Sequence, residues 1–355
     1  MRKHYIDNIR WITVVTVVIY HVFYMFNGVA DDGVIGAFKN TQYQDVLQYI
    51  LSPWFMVLLF IVSGMCAKYC LDKTSVKKFI STRTRKLLVP STLGLFVFQW
   101  IQGYFNMKIG GAFERMPKLP KVILYLIMSV SGTGVLWFIQ MLWLFSLLLC
   151  LIRKIEKGKL LALCERTNVI ILVLLGVPLW ASAQILNTPV IAVYRFGIYG
   201  VSFLFGYFVF SHEKVIERLT KYRFVFLICA VILGVAEVKV YFGENYAVNP
   251  VVNSPLSVAY LWCCVLCFLG MAKRYLDYTN KFCNFMSNKS WGLYIFHYLP
   301  LSAVALMLTS YTNFPPILIY IITAVSAFIG AYVLYEIISR IPLLRYFVLG
   351  INKKG

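Results

Sequence analysis

Stretches of about 20 apolar residues recur along the whole chain and constrain its fold more than any other feature. A helix of that length crosses a bilayer core of roughly 30 Å. Composition agrees, because 60% of the 355 residues are hydrophobic and only 14% are charged, against roughly half and a quarter in soluble proteins. The sequence predicts an all-α polytopic membrane protein and excludes a soluble enzyme, a secreted disulfide scaffold and a disordered regulator.

Hydropathy and helix breakers together predict a bundle of about ten transmembrane helices. We place them near residues 9–26, 47–71, 87–107, 135–152, 169–186, 196–210, 224–242, 256–271, 291–309 and 317–338. The apolar run 120–131 is too short to span, so we expect an external interfacial or re-entrant helix there. Without a repeat or a long linker, residues 1–355 are predicted to form one transmembrane domain.

The distribution of basic residues predicts the orientation of the chain. The net charge of +20 arises from 34 Lys and Arg against 14 Asp and Glu, and in a soluble protein it would suggest nucleic-acid binding. In a polytopic protein basic residues collect in cytoplasmic loops. With a cytoplasmic N-terminus, 27 of the 34 lie inside. The external seven are Lys39, Lys108, Arg115, Lys118, Lys121, Arg195 and Lys239. Both termini and the basic loop 68–86 are therefore predicted to be cytoplasmic, with no nucleic-acid partner.

Three polar residues are regularly placed in the first span: Asp7, Arg10 and His21. The eleven steps from Arg10 to His21 turn a helix through about 1,100°, which puts both on one face about 16 Å apart. Asp7 lies three residues before Arg10 and is expected to pair with it. An ionisable residue at membrane depth usually faces a protein interior or a water cavity, so His21 is predicted to be functional. The alternative is a histidine that only hydrogen-bonds a neighbouring helix.

The loop 68–86 is the most basic segment, and its last cations are Arg83, Arg85 and Lys86. Arg83 and Lys86 are three residues apart before the third span, so on an α-helical turn they would point the same way. We expect them to bind a phosphorylated ligand at the mouth of the bundle. The alternative is topogenic charge held against anionic lipid.

The other candidates inside spans are each weaker, and each has a structural alternative. They are Trp137, Glu237, His297 and Glu336. The alternatives are an interfacial aromatic for Trp137, an interfacial ion pair for Glu237, a structural histidine for His297 and a helix ion pair for Glu336. The nine cysteines lie in apolar segments or basic loops, and neither a disulfide framework nor a metal site is predicted.

Five short motifs follow one another on the predicted helices. They are Arg10 with ten residues before His21, Ser63-Gly64, Phe79-x-x-x-Arg83-x-x-Lys86-Leu87-x-x-Pro90, Leu136-Trp137-Phe138 and Tyr294-Ile-Phe-His297. In this order they resemble the membrane acyltransferase family 3, over nearly the whole chain. The start Tyr5-Ile-Asp7-Asn-Ile-Arg10 and the run 79–94 look most like its glucan biosynthesis protein C branch.

The resemblance implies a ten-helix O-acyltransferase, acting on groups other than aminoacyl groups, in a bacterial plasma membrane. It would move an acetyl or succinyl group from cytoplasmic acyl-CoA, used as a substrate and not as a tightly bound cofactor, to a glycan hydroxyl. His21 would be the essential imidazole, with Arg10 and Asp7 towards the donor and Tyr294, His297 and Trp137 in support. The family commonly has two arginines in the loop motif. Lys86 replaces the second and lacks its bidentate fork, so Arg85 is the expected substitute.

Acyl transfer to a hydroxyl needs a base near the attacking oxygen, and a neutral imidazole suits that step. Direct attack is our preferred mechanism, with an acyl-imidazole intermediate left open. The acceptor is expected to enter from outside, near Glu237, Arg195 and the loop at Asp31 and Asp32, with membrane lipid as a further partner.

The alternative functions are a transporter or flippase for a glycan or lipid-linked sugar, and a catalytically silent scaffold. Transporters usually carry two related halves with matching helix breaks. The second half of this chain has no counterpart to the His21 segment, so the transporter is the weaker hypothesis.

Overall fold

The computed structural model describes residues 3–30, 33–188 and 193–352. These residues form helices joined by short connections and contain no β-strand, only an isolated bridge between Asn187 and Arg195. In chain order the α-helices are His4–Met25, Val46–Leu51, Phe55–Leu71, Val76–Arg83, Val89–Ser91, Trp100–Ile109, Ala112–Arg115, Lys121–Ser131, Trp137–Glu156, Lys159–Cys164, Val169–Leu174, Gly176–Ala183, Phe196–Phe208, Glu213–Tyr241, Pro255–Tyr275, Lys281–Phe296, Tyr298–Tyr311, Pro316–Arg340 and Pro342–Leu349. The predicted all-α class is confirmed.

Within the described residues, six helical segments are long and apolar enough to cross a membrane. They are His4–Met25, Tyr43–Leu71, Gly134–Glu156, Glu213–Tyr241, Pro255–Tyr275 and Pro316–Arg340. A seventh arises if Lys281–Phe296 and Tyr298–Tyr311, bent by 54° at their junction, count as one broken span. These seven coincide with seven of the ten predicted spans, and the chain is a multi-pass membrane protein.

The other three predicted spans are short or interrupted. Two π-helical turns, Thr84–Leu88 and Leu95–Gln99, divide the helical segment predicted near 87–107. The fifth forms an apolar helical segment over Val169–Ala183, and the sixth a helix of 13 residues, Phe196–Phe208. Because a span needs about 20 helical residues, the count of ten stays a prediction.

The apolar run that we predicted as interfacial or re-entrant is the helix Lys121–Ser131. Its 11 residues extend about 16 Å at the helical rise, roughly half of a bilayer core. Val122 and Val130 are exposed, while Ser129 is buried. The helix therefore has one apolar face towards its surroundings and one towards the protein.

The chain divides into two compact units. The first comprises the residues up to Thr13, with Val46–Ile80 and Leu144–Ser287. The second comprises Val14–Asp45, Ser81–Trp143 and the residues from Asn288 onward.

Glycines allow two helices of the first unit to cross closely. The helices Phe55–Leu71 and Phe196–Phe208 pack along their length. A Cβ at Gly64 would overlap the carbonyl oxygen of Phe203, and one at Gly206 would overlap that of Ile61. Small residues allow two membrane helices to approach backbone to backbone, and only glycine fits at these two positions.

A polar clamp holds the beginning of the first helix in the same unit. The backbone N–H of Tyr5 donates to Asp277 Oδ1 at 3.2 Å, which satisfies one of the unpaired donors of a helix N-terminus. Lys273 pairs with Asp277 at 2.9 Å and with Glu213 at 2.7 Å. Burial opposes the ionisation of Asp277, but the Lys273 ammonium and the Tyr5 amide outweigh it and hold the pKa of this carboxyl below its usual value.

The second unit also contains a glycine-mediated crossing. Trp100–Ile109 packs on Lys121–Ser131, where a Cβ at Gly103 would overlap the carbonyl of Met128. Tyr298–Tyr311 packs between Trp100–Ile109 and Pro316–Arg340. These contacts position the broken helix at residue 297, where the candidate site lies.

Candidate functional site

Two histidines meet inside the second unit. His21 lies on the helix His4–Met25, and His297 lies at the break between Lys281–Phe296 and Tyr298–Tyr311. Nδ1 of His21 is 3.1 Å from Nε2 of His297, and the ring centroids are 5.1 Å apart. His297 is fully buried, whereas His21 is half-buried. His21 therefore does hydrogen-bond a neighbouring helix, and its partner is itself a group capable of acid–base chemistry.

Aromatic residues surround the histidine pair. The ring of Tyr298 stands edge-on to His21 with centroids 5.1 Å apart, and Tyr24 stands edge-on at 6.3 Å. Tyr294 is buried one turn before His297 and donates its hydroxyl hydrogen to the carbonyl of Val135. Tyr294 thereby connects the helix before the break to the 3₁₀ turn Gly134–Leu136.

Trp137 follows that turn directly. It is half-buried and begins the helix Trp137–Glu156 after the 3₁₀ turn Gly134–Leu136. Three residues on, Gln140 donates to the carbonyl of Ser91 at 2.8 Å. Trp137 lies far from Tyr294 and His297 in the sequence, yet all three belong to the second unit.

The three predicted donor-binding cations occupy one helical stretch of the second unit. Arg83 is the last residue of Val76–Arg83, while Arg85 and Lys86 lie in the π-turn Thr84–Leu88. A π-turn changes the angular step per residue, so the shared direction expected for Arg83 and Lys86 on an α-helix does not follow. Lys86 is exposed, whereas Arg85 is half-buried and its Nε has no hydrogen-bond partner among the described residues.

A polar cluster that sequence reasoning missed lies on the helix Trp100–Ile109. Gln102 donates to Asn106 Oδ1 at 2.7 Å and to Ser302 Oγ at 3.1 Å, and Asn106 donates to the carbonyl of Ser131 at 2.8 Å. Gln102 Oε1 is buried without a hydrogen-bond partner among the described residues. The sequence did contain a pattern that could have indicated this cluster: two amide side chains, Gln102 and Asn106, four residues apart in an apolar segment.

Asp7 and Arg10 belong to the first unit. Arg10 Nη2 lies 3.2 Å from Asp7 Oδ1, and both side chains are partly exposed. The predicted pairing three residues apart is thus present, within one unbroken helix that also carries His21.

Glu237 and Arg195 are also in the first unit, and both are buried. Glu237 Oε1 accepts a hydrogen bond from Ser257 at 2.6 Å, while its Oε2 has no partner among the described residues. Arg195 donates to Asn253 Oδ1 at 2.7 Å, and burial lowers the pKa of its guanidinium. Asp31 and Asp32, predicted to lie near the acceptor, fall outside the described residues.

Glu336 forms the helix ion pair that was the alternative reading for it. Its Oε2 lies 3.6 Å from Arg340, four residues later, and its Oε1 pairs with Lys289. The charge of Glu336 is thereby compensated, and we assign it no catalytic role.

Most of the chain matches one known protein family. A family model described as an acyltransferase domain matches residues 3–336. No curated protein and no solved structure matches the chain.

Proposed function

This chain belongs to acyltransferase family 3, and on that premise we propose that it is a membrane O-acyltransferase. It moves an acetyl or succinyl group from cytoplasmic acyl-CoA to a hydroxyl of a cell-surface or exported glycan. The observation that carries the proposal is the pair of imidazoles, His21 and His297, in contact within a membrane protein. We propose the bacterial plasma membrane as its location and the glucan biosynthesis protein C branch as its nearest subgroup.

The reaction assigns His21 the role of general base. Its imidazole takes the proton of the acceptor hydroxyl as that oxygen attacks the thioester carbonyl of acyl-CoA. The tetrahedral intermediate then collapses, the C–S bond breaks, and the CoA sulfur receives the proton from His21. Atoms and charge balance over the cycle without any other reactant.

The donor is proposed to bind through its phosphates at Arg83, Arg85 and Lys86. These residues share the second unit with the histidine pair. Guanidinium groups bind phosphate through two parallel hydrogen bonds, whereas an ammonium acts as a point charge. Arg85, whose buried Nε has no hydrogen-bond partner within the described part of the chain, is proposed as the substitute for the second arginine of the family motif. Asp7 and Arg10 are proposed as catalytic residues together with His21, on the donor side of the site.

The acceptor is proposed to be a carbohydrate bound by polar side chains. Glu237 has a buried oxygen, Oε2, without a hydrogen-bond partner among the described residues. A buried acceptor left unpaired is unfavourable by about 1–3 kcal/mol, and a sugar hydroxyl would satisfy it. Trp137 is proposed to support the acceptor site.

Acyl transfer is tested with purified protein in lipid nanodiscs, [¹⁴C]acetyl-CoA or [¹⁴C]succinyl-CoA, and a glucan oligosaccharide. CoA release is followed by mass spectrometry, because the nine free cysteines of the chain would react with a thiol reagent. We expect CoA release and labelled glycan, both reduced by about 10²–10⁴-fold in the His21→Asn variant. Donor binding without CoA release would contradict the enzyme and favour a transporter.

A further inference from the structure

We propose that His297 is a positioning residue that fixes the tautomer of His21, so that Nε2 of His21 is the base. This inference rests on the proposed function. It assigns the reacting atom, which neither the sequence nor the family assignment specifies.

The protonation of His297 follows from its own helix. Its Nδ1 lies 3.0 Å from the carbonyl oxygen of Leu293 and 2.9 Å from that of Tyr294. A carbonyl oxygen only accepts hydrogen bonds, so Nδ1 must carry the proton. A neutral imidazole has a single N–H, and therefore Nε2 of His297 is a hydrogen-bond acceptor.

The protonation of His21 follows from that of His297. Nδ1 of His21 faces the acceptor Nε2 of His297 at 3.1 Å and must donate to it. The neutral His21 ring then has its lone pair on Nε2.

The two histidines differ in their burial and therefore in their access to solvent and substrate. His297 is completely buried, so water does not compete for its two nitrogens, whereas His21 is half-buried. The 54° bend places His297 at a helix break, where both ring nitrogens meet partners. His297 is thus fixed by two carbonyls, and His21 remains the ring with a nitrogen available for chemistry.

The arrangement has a consequence for the reaction. When His21 Nε2 takes the hydroxyl proton, the resulting imidazolium keeps its Nδ1–H bond to the lone pair of His297. No second proton moves, and His297 stays neutral. In serine hydrolases a carboxylate orients the catalytic imidazole in the same manner, and loss of the correct tautomer lowers the rate by about 10⁴.

Two variants separate positioning from packing. In His297→Gln the amide oxygen reaches the place of Nε2 and can accept from His21, whereas in His297→Asn the shorter amide retains only the contacts to the carbonyls. We expect His297→Gln to keep kcat within about tenfold of the parent and His297→Asn to lose on the order of a hundredfold or more. KM for acyl-CoA should change little in either variant. Equal losses of kcat, or losses in KM alone, would overturn the proposal.

A pH–rate profile distinguishes which histidine is the base. The acid limb of kcat/KM should persist in His297→Gln and vanish from the residual rate of His21→Asn. The reverse pattern would make His297 the base and overturn the proposal. An inactive parent protein would instead contradict the proposed function.

The tautomer itself can be measured without any substitution at the site. The chain has only four histidines, so ¹⁵N-histidine labelling in membranes gives a simple solid-state NMR spectrum. His4→Gln and His212→Gln remove the other two signals. We expect both remaining rings to be protonated at Nδ1 at neutral pH, and a proton on Nε2 of His21 would overturn the inference.

Discussion

His21 and His297 lie 276 positions apart in the chain, yet their ring nitrogens are 3.1 Å apart. Sequence reasoning identified both residues, because ionisable side chains are rare in apolar segments and usually functional there. It could not place them together, since their contact depends on the bend at residue 297 and on helix packing. Sequence reasoning likewise could not pair Glu237 with Ser257, whose hydroxyl donates to it from another helix.

Replacing His21 with Asn should affect chemistry far more than folding. Asn keeps one hydrogen-bonding group but removes the proton acceptor, so acyl transfer should fall by about 10²–10⁴-fold. Transfer rate and donor affinity are measured on protein matched to the parent in expression and detergent stability. A rate within a few-fold of the parent would make His21 a structural histidine.

Arg83 and Lys86 should contribute unequally to donor binding. Arg83 can bind a phosphate through two parallel hydrogen bonds, whereas Lys86 is exposed and supplies a single point charge. Arg83→Ala should therefore weaken acyl-CoA binding more than Lys86→Ala, and Lys86→Arg should be tolerated. Calorimetry with a non-hydrolysable acyl-CoA analogue gives the affinities, and two unaffected alanine variants would remove this segment from the donor site.

Elements were easier to predict where they are long and continuous. The helices over His4–Met25 and Pro316–Arg340 match their predicted spans because about 20 apolar residues suffice to indicate a span. The segment near 87–107 did not form one regular helix. Two π-turns interrupt it, and the second, Leu95–Gln99, follows Gly94, where a Cβ would overlap the carbonyl oxygen of Phe347, a residue far away in sequence.

Glycine substitutions should test the crossing of Phe55–Leu71 and Phe196–Phe208. Gly206→Ala would push its methyl group into the backbone of Ile61, and overpacking of this kind reduces the free energy of unfolding by about 1–3 kcal/mol. The matched control on the same helix is Gly200→Ala, whose methyl group would meet only the ring edge of Phe145 at 3.3 Å. Unfolding in detergent measures both, and equal stabilities would show that the crossing tolerates a wider separation.

At the scale of the whole molecule, the charge distribution and the length of the apolar segments predict the orientation and the membrane class. The excess of 34 basic over 14 acidic residues predicts orientation because translocation disfavours positive charge outside. The same excess says nothing about how the two units are built. Their division became visible only from contacts between helices distant in sequence.

Reporter fusions test the predicted orientation. A fusion after Lys78 should report the cytoplasm and one after Gly111 the outside, because a single membrane crossing is predicted between them. Fusions at both termini should report the cytoplasm. If the Lys78 and Gly111 fusions report the same side, the assignment of the third span is wrong.

The sequence by itself determined the membrane class, the helical fold, the family and most of the candidate residues, though not the polar cluster at Gln102 and Asn106. These follow from local properties: apolar length, charge and short motifs read along one chain. Only the tertiary structure decided that His297 meets His21, that Arg85 and Lys86 lie in a π-turn and that the first helix is clamped by Asp277. Each of these depends on packing between distant segments, and no local pattern specifies which side chains that packing brings into contact.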